Sequence, residues 1–294
     1  MPNNERSLHP LEKIVALAAL VAVFALSVGF AQGAESKKPE KADAVFLRSA
    51  VALVQDAASG ETLIAKNQDT ILPIASITKL MTAIVILDAG LNLEQRVAIS
   101  GEDYDSVKGT RSRLRPGAVL TRNELLLLAL MSSENRAAAA LGRTFPGGTG
   151  AFVSMMNAKA RSLGMSATRF VDPTGLSSGN VASAQDLARL VAAAHEFPLI
   201  REYSTRERAT VNALGRPLGY RNTNGLVRSA HWEIGLSKTG YISEAGRCLV
   251  MRVRLASREV IVVLLDSWGK FSRIGDANRI RKWLETHAAA GRSG

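Results

Sequence analysis

Ser76 and Lys79 stand three residues apart in Leu72-Pro73-Ile74-Ala75-Ser76-Ile77-Thr78-Lys79-Leu80-Met81. Pro73 ends an extended approach. An apolar, helix-compatible run follows to Leu87 and closes on the stop signal Asp88-Ala89-Gly90. The spacing therefore predicts a helix with the hydroxyl and the amine on one face, one turn apart. An amine flanked by Ile77, Leu80 and Met81 loses water and stays partly neutral, and a neutral lysine can take a proton from a serine. The helix N-terminus also offers backbone N–H groups to a developing oxyanion. The pair alone is a weak signal, because Ser267-Trp268-Gly269-Lys270 repeats its spacing. That second case follows the strand-like run Val260–Leu265 and reads as a strand-end turn.

Two further clusters carry polar chemistry. Lys238-Thr239-Gly240 precedes the C-terminal strand-like runs. A Lys-Thr-Gly opening a strand presents a cation and a hydroxyl to a carboxylate, and Gly240 leaves room for a substrate backbone beside the strand. Ser133-Glu134-Asn135 lies in a break between two helical runs, where polar groups need partners and can face a cleft. Ser178-Gly179-Asn180 imitates it in a loop, but only the first cluster follows a long apolar helix and precedes an Ala-rich one.

The elements that must position these groups follow from patterning. Val45–Gln55 and Thr62–Ala65 read as strands around the turn Ala57-Ala58-Ser59-Gly60. Leu93–Ile99 reads as a short strand and Gly101–Pro116 as a polar loop. Thr121-Arg122-Asn123-Glu124 forms a capping box before the helix Leu125–Met131. Helices are expected at Arg136–Arg143, Thr149–Leu163 and Ser183–His195, and a mixed, turn-rich stretch at Thr205–Asn224. Gly246–Leu255 and Arg258–Asp266 read as consecutive strands, and Ser272–Thr286 as a closing helix. Strands at both ends and helices between them imply an α+β domain, with N- and C-terminal strands in one antiparallel sheet and a helical lobe inserted.

The chain has 294 residues, 47% hydrophobic, enough for one large domain or two small ones. The polar start to Lys13, the uncharged run Ile14–Ala31 and the small residues Gly29, Ala31, Gly33 and Ala34 follow the order of a secretory signal. An uncleaved anchor is the competing reading, since the run is about long enough to span a membrane. The expected organisation is a signal peptide at 1–34, a charged linker at 35–44 and one domain at 45–290, exported to the periplasm. Cys248 is the single cysteine, so no internal disulfide is expected. It sits in an apolar run and reads as a buried thiol. His9, His195, His231 and His287 show no metal-ligand spacing, so no metal is expected. The net charge of +11 is spread along the chain with only 5% aromatics. That pattern suits an anionic matrix such as the cell wall and disfavours nucleic acid.

Ser76-x-x-Lys79, Ser133-Glu134-Asn135 and Lys238-Thr239-Gly240, in that order, resemble the motif trio of class A β-lactamases and penicillin-binding proteins. The resemblance runs from Val45 to Leu284 and is to the low-molecular-mass penicillin-binding proteins, within them the D-alanyl-D-alanine endopeptidase type. Asp172-Pro173-Thr174-Gly175-Leu176, Arg221-Asn222-Thr223-Asn224 and the stretch from Gly240 to Met251 are similar to that subgroup. Glu134 departs from the Asp or Gly common in the wider superfamily.

The resemblance implies a β-lactamase/transpeptidase-like fold and a serine D,D-peptidase that acts through an acyl-enzyme without a cofactor. Ser76 would be the nucleophile and Lys79 its base, kept neutral with help from the Lys238 charge. Ser133 would relay a proton, and Asn135 would bind the substrate amide. Lys238, Thr239 and, with them, Arg273 would hold a carboxylate. Backbone N–H groups of Ser76 and Tyr241 would form the oxyanion hole. The implied partners are peptidoglycan stem peptides, with β-lactams as covalent inhibitors. Opening of cross-links and removal of a terminal D-alanine both remain possible, with the first favoured. A β-lactamase is disfavoured because no Glu-x-x-Leu-Asn type loop lies between Asn135 and Lys238.

Overall fold

The computed structural model describes residues 45–290. The expected signal at 1–34 and linker at 35–44 lie outside the described residues. In chain order the elements are β1 (Ser49–Asp56), β2 (Thr62–Lys66), β3 (Leu72–Pro73), α1 (Thr78–Asp88), β4 (Arg96–Ala98), β5 (Val119–Thr121), α2 (Arg122–Met131), α3 (Asn135–Arg143) and α4 (Gly148–Ser162). They continue with β6 (Val181–Ala182), α5 (Ala184–His195), α6 (Pro198–Thr205), β7 (Arg208–Ala213), β8 (Arg216–Arg221), β9 (Glu233–Ile242), β10 (Gly246–Leu255), β11 (Arg258–Ser267) and α7 (Ser272–Ala290).

The main sheet has the order β2-β1-β11-β10-β9, antiparallel throughout. N-terminal β1 lies between β2 and C-terminal β11, so the two ends of the domain share one sheet, as the strand pattern implies. Strands β10 and β11 are apolar on both faces because both faces are covered. Leu249, Met251, Val262 and Leu264 pack under α7 with Ile280 and Leu284. Cys248, Val250, Val263 and Leu265 face the helical lobe with residues of α1, α2 and α5. That lobe is the insertion between β2 and β9.

Helix α1 is the hub of the lobe. Every residue from Thr78 to Ile86 is buried, polar ones included. A helix that is apolar nearly all round must be surrounded by protein, and this one carries Lys79 into the interior with it. The capping box is present at the start of α2, where Thr121 Oγ accepts from Glu124 N and the Glu124 carboxylate accepts from Thr121 N.

The stretch Thr205–Asn224 is more regular than its sequence suggests. It holds the end of α6 and the hairpin β7–β8, joined by Leu214 and Gly215, both at positive φ. That two-residue turn matches the twist of a hairpin. The strands alternate, with Val211 and Ala213 of β7 and Tyr220 of β8 buried on one face, but each is only six residues long and rich in Arg, Asn, Gly and Pro, so the stretch reads as mixed.

The closing helix is bolted to the sheet by a buried carboxylate. Asp276 accepts from Arg48 N (2.9 Å), Ser49 N (2.7 Å) and Ser49 Oγ (2.5 Å). Burial pushes its carboxyl pKa up, but these hydrogen bonds outweigh it and hold the pKa below the ordinary aspartate value. The stability it contributes is therefore present above the unfolded-state pKa and is lost as pH falls through the folded one. Asp276→Ala strands buried donors and should destabilise the domain by about 2–4 kcal/mol. Urea unfolding at neutral pH measures this, and an unchanged midpoint would contradict it.

Candidate active site

Ser76 lies in a single turn of 3₁₀-helix, Ala75–Ile77, which runs directly into α1. Residue Ala75 has φ +47°, a left-handed conformation that costs a non-glycine residue free energy. The turn holds because three neighbours fix it. The Ala75 carbonyl accepts from Thr78 Oγ1 (2.8 Å). Asn180 Nδ2 in turn donates to Thr78 Oγ1 (3.0 Å), and Thr82 Oγ1 donates to Pro173 O (2.6 Å). Gly175 sits so close that a Cβ there would lie 2.0 Å from the Ala75 oxygen.

The loop behind this contact is built around Asp172. Its carboxylate accepts from the backbone N–H of Thr174, Gly175 and Ser177 and from the Thr174 hydroxyl. This is the self-capping habit of an Asp in a turn. Asn180 ties the loop to α1, which gives a structural role to the Ser178-Gly179-Asn180 imitation of the second motif.

The Lys79 amine meets three partners: Ser76 Oγ at 2.9 Å, Asn135 Oδ1 at 2.8 Å and Thr174 O at 2.6 Å. Two of these are carbonyl oxygens, which only accept. A neutral amine has two N–H donors and one lone pair. With both donors spent on Asn135 and Thr174, the lone pair is left facing the Ser76 hydroxyl. Burial pushes the Lys79 pKa down to about 7 against the opposing pull of Asp172, Glu134 and Asp105. The sequence reading gave part of this role to the charge of Lys238; burial on α1 is the leading cause, and repulsion between the two amines disfavours charging both at once. Lys238 is pushed well below its ordinary value by burial first, with the Lys79 and Arg273 charges adding to it.

Ser133 and Asn135 occupy the break between α2 and α3, and Ser133 adopts φ +59°. Its hydroxyl accepts from Lys238 Nζ at 3.0 Å. Asn135 Nδ2 donates to Thr110 Oγ1 at 2.9 Å, so a residue of the polar loop holds the amide donor expected to meet substrate. Glu134 caps α3 by accepting from Arg136 N.

Lys238-Thr239-Gly240 lies in the second half of β9, a ten-residue strand, and does not open it. Its flank follows from that register. Thr239 Oγ1 donates to Thr223 Oγ1 (2.6 Å), and a Cβ on Gly240 would come within 2.9 Å of Ile74 O and 3.1 Å of Ser76 N. The bare strand edge therefore abuts the Ser76 turn and brings its backbone toward the N–H of Ser76. Arg273, in the first turn of α7, donates through Nη1 to Gly240 O (3.1 Å) and Cys248 O (3.2 Å). The Tyr241 side chain is exposed, with the Arg247 guanidinium 4.7 Å from its ring centre.

Sequence reading named Ser76, Lys79, Ser133, Asn135, Lys238, Thr239, Gly240, Tyr241 and Arg273; the structure joins Lys79 to Ser76 and Asn135, Lys238 to Ser133, and Gly240 to the Ser76 turn and to Arg273. Sequence reading missed Thr110, Thr223 and the Thr174 carbonyl. Thr223 and Thr174 lie in stretches similar to the endopeptidase subgroup, but no role was attached to either residue. The decoy Ser267 is buried, with its Oγ 2.6 Å from Ser49 Oγ, and Lys270 lies 5.5 Å from the Phe271 ring centre. Cys248 is buried and its thiol is pushed up to about 11 by burial, which keeps it protonated. Among the described residues no cluster of His, Cys, Asp and Glu could hold a metal.

A serine under the lone pair of a neutral lysine, beside a second serine–lysine pair and a carbonyl-accepting strand edge, suits acyl transfer. Comparisons with known proteins agree. The family described as D-alanyl-D-alanine carboxypeptidase, peptidase family S11, matches residues 36–269. A D-alanyl-D-alanine endopeptidase of Pseudomonas aeruginosa is 48% identical over 92% of this chain and 88% of its own. That of Escherichia coli is 46% identical over 82% and 78%. The crystal structure of the Streptomyces K15 DD-transpeptidase superposes with a TM-score of 0.76 at 27% identity, covering 81% of this chain and 97% of that one. Penicillin-binding protein D2 of Listeria monocytogenes, in its cefotaxime-bound form, gives 0.72 at 27% identity, covering 81% and 98%. On its motifs, its fold and these relatives, the chain belongs to peptidase family S11.

Proposed function

We propose that this protein is a periplasmic serine D,D-endopeptidase that opens cross-links between peptidoglycan stem peptides and is acylated by β-lactams. The observation that carries the reading is the Lys79 amine, whose two carbonyl partners leave its lone pair to Ser76. In the proposed reaction Ser76 Oγ attacks the carbonyl of a D-alanine, and its proton passes to Lys79. The oxyanion is held by the N–H groups of Ser76 and Tyr241. As the C–N bond breaks, the leaving amine takes a proton through Ser133, which Lys238 orients. Water then hydrolyses the ester, again with Lys79 as base.

In a cross-link the leaving amine sits on a diamino acid centre that also bears a carboxylate. Lys238, Thr239 and Arg273 are assigned to that carboxylate. Binding it favours the charged form of Lys238. Asn135 gives its amide to the substrate by exchanging Thr110 for a peptide carbonyl. The endopeptidase relatives favour cross-link opening over trimming of free ends. Purified cross-linked dimer and free pentapeptide, offered separately, test the choice: dimer should be cut to monomers. Fast loss of terminal D-alanine with intact dimer would make the enzyme a carboxypeptidase.

The neutral amine also sets a pH dependence. Lys79 is a base only when unprotonated, so acylation by a fluorescent penicillin should rise with pH through an apparent pKa near 7. A profile flat from pH 6 to pH 8.5 would contradict a lysine base. Periplasmic placement rests on the signal-like order of the first 34 residues. Sequencing of mature protein should find a new N-terminus between Gln32 and Glu35, whereas full-length protein in the membrane fraction would show an anchor.

A further inference from the structure

The Asn135 side-chain amide has two ends of nearly equal shape, one an acceptor and one a donor. Its Oδ1 accepts from Lys79 and its Nδ2 donates to Thr110 Oγ1. Half a turn of the amide would exchange the two. Nδ2 would then face Lys79 and donate into the lone pair of the neutral amine, leaving an N–H of that amine to point at Ser76. Such an arrangement makes as many contacts and contains no base. The orientation of one amide therefore decides whether Lys79 can take the Ser76 proton.

What sets that orientation lies in the polar loop. Thr110 Oγ1 donates to Asp105 Oδ2 at 2.7 Å, and Thr110 N donates to the same oxygen at 2.8 Å. Asp105 Oδ1 accepts from Val107 N (2.9 Å) and Lys108 N (2.7 Å). Burial pushes the Asp105 pKa up, but these hydrogen bonds outweigh it and hold the pKa below the ordinary aspartate value. Asp105 is therefore ionised and can only accept. Thr110 has a single hydroxyl proton, and it is engaged by Asp105, so Thr110 offers Asn135 lone pairs alone. Only the Nδ2 end of the amide can meet them. The loop is also held from outside. Lys108 pairs with Glu244 in the turn between β9 and β10, and Arg113 Nη1 donates to Gly219 O (2.6 Å). Its position thus does not depend on Asn135.

We propose that Asp105, acting through Thr110, is a positioning residue that fixes which way round the Asn135 amide lies and so keeps the Lys79 lone pair free for Ser76. This rests on the reading of Lys79 as the base and adds the group that aims it before substrate arrives. A substrate or penicillin carbonyl that displaces Thr110 also only accepts, so the occupied site keeps the same polarity. Asp105 and Thr110 hold in the free enzyme the amide orientation that substrate needs.

Thr110→Val, Thr110→Ser and Asp105→Asn test this, with acylation by a fluorescent penicillin as the readout and thermal unfolding as the check on folding. Thr110→Val keeps the side-chain shape and removes the hydroxyl. Its second-order acylation rate should fall about 3- to 10-fold, the worth of one hydrogen bond. The fall should lie in the penicillin concentration at half-saturation, with the limiting rate close to the parent's, because a misoriented fraction of free enzyme weakens apparent affinity. Thr110→Ser keeps the hydroxyl and should restore the parent rate. Asp105→Asn can offer Thr110 a donor and should cost a factor similar to that of Thr110→Val. The double variant should lose no more than the worse single one, because both changes free the same amide. Asp105→Asn should also move the acid limb of the acylation profile to lower pH. Asp105 joins Asp172 and Glu134 in opposing the fall of the Lys79 pKa, with Lys238 the cation beside it, so removing one anion lowers that pKa further. An unchanged rate in Thr110→Val would overturn the proposal. So would an equal loss in Thr110→Ser, a loss confined to the limiting rate, or an acid limb that stays or moves to higher pH in Asp105→Asn. Acylation of the parent with no pH dependence removes the lysine base and this proposal with it, whereas the expected parent profile with unaffected variants removes the proposal alone.

Discussion

Ser76→Ala should reduce labelling by a fluorescent penicillin to background and abolish cleavage of cross-linked dimer, while the folded state survives. The hydroxyl is only partly buried and its one side-chain contact is with Lys79, so thermal unfolding should shift by a few degrees at most. Lys79→Ala should cost about 10²–10⁴ in acylation rate, the range for a positioned general base. It should also destabilise the fold more than Ser76→Ala, because the carbonyl of Thr174 and the Oδ1 of Asn135 lose their shared donor. The double variant should be no slower than Ser76→Ala alone, since residues that act as one unit are not additive. Labelling that survives in Ser76→Ala, or that maps to Ser267, would end the assignment.

Gly175→Ala should be nearly as damaging to activity, although Gly175 touches no substrate. A Cβ there would stand 2.0 Å from Ala75 O and 2.9 Å from Ser76 N, both backbone atoms that cannot step aside. Its φ of +81° adds strain for any side chain. The turn carrying Ser76 must move, and displacement of a reacting group by about 1 Å can cost 10²-fold. The control is Gly164→Ala. Gly164 has a similar φ of +69°, but a Cβ there would meet nothing within 4 Å. That change should cost about 1 kcal/mol of stability and leave activity alone. Equal effects from the two substitutions would show that backbone strain, and not the close approach of the Asp172 loop, is what matters at Gly175.

The local features of the site were readable in the sequence because they depend on neighbours only a few residues away. The spacing of Ser76 and Lys79 sets one helical turn whatever packs around it. Thr121 and Glu124 close their capping box within four residues. Strands β10 and β11 announce themselves as apolar runs separated by a two-residue turn. Gly240 likewise marked a place where a backbone could lie beside the strand.

What sequence could not supply was the partner on the other side of each close approach. The Lys79 pKa is pushed down to about 7 because α1 is enclosed on all sides, and enclosure depends on helices and strands distant in the chain. Its lone pair is aimed by Asn135 and Thr174, which lie 56 and 95 residues away. The Lys238 motif falls mid-strand because β10 sets the register of β9. The hairpin β7–β8 alternates buried and exposed residues, but its short strands hold few large apolar side chains, so their pairing was decided by packing against the core. In this chain the residue types and their short spacings determined which groups could react. Long-range packing decided which of them are desolvated, which donors are already spent, and therefore which serine faces a free lone pair.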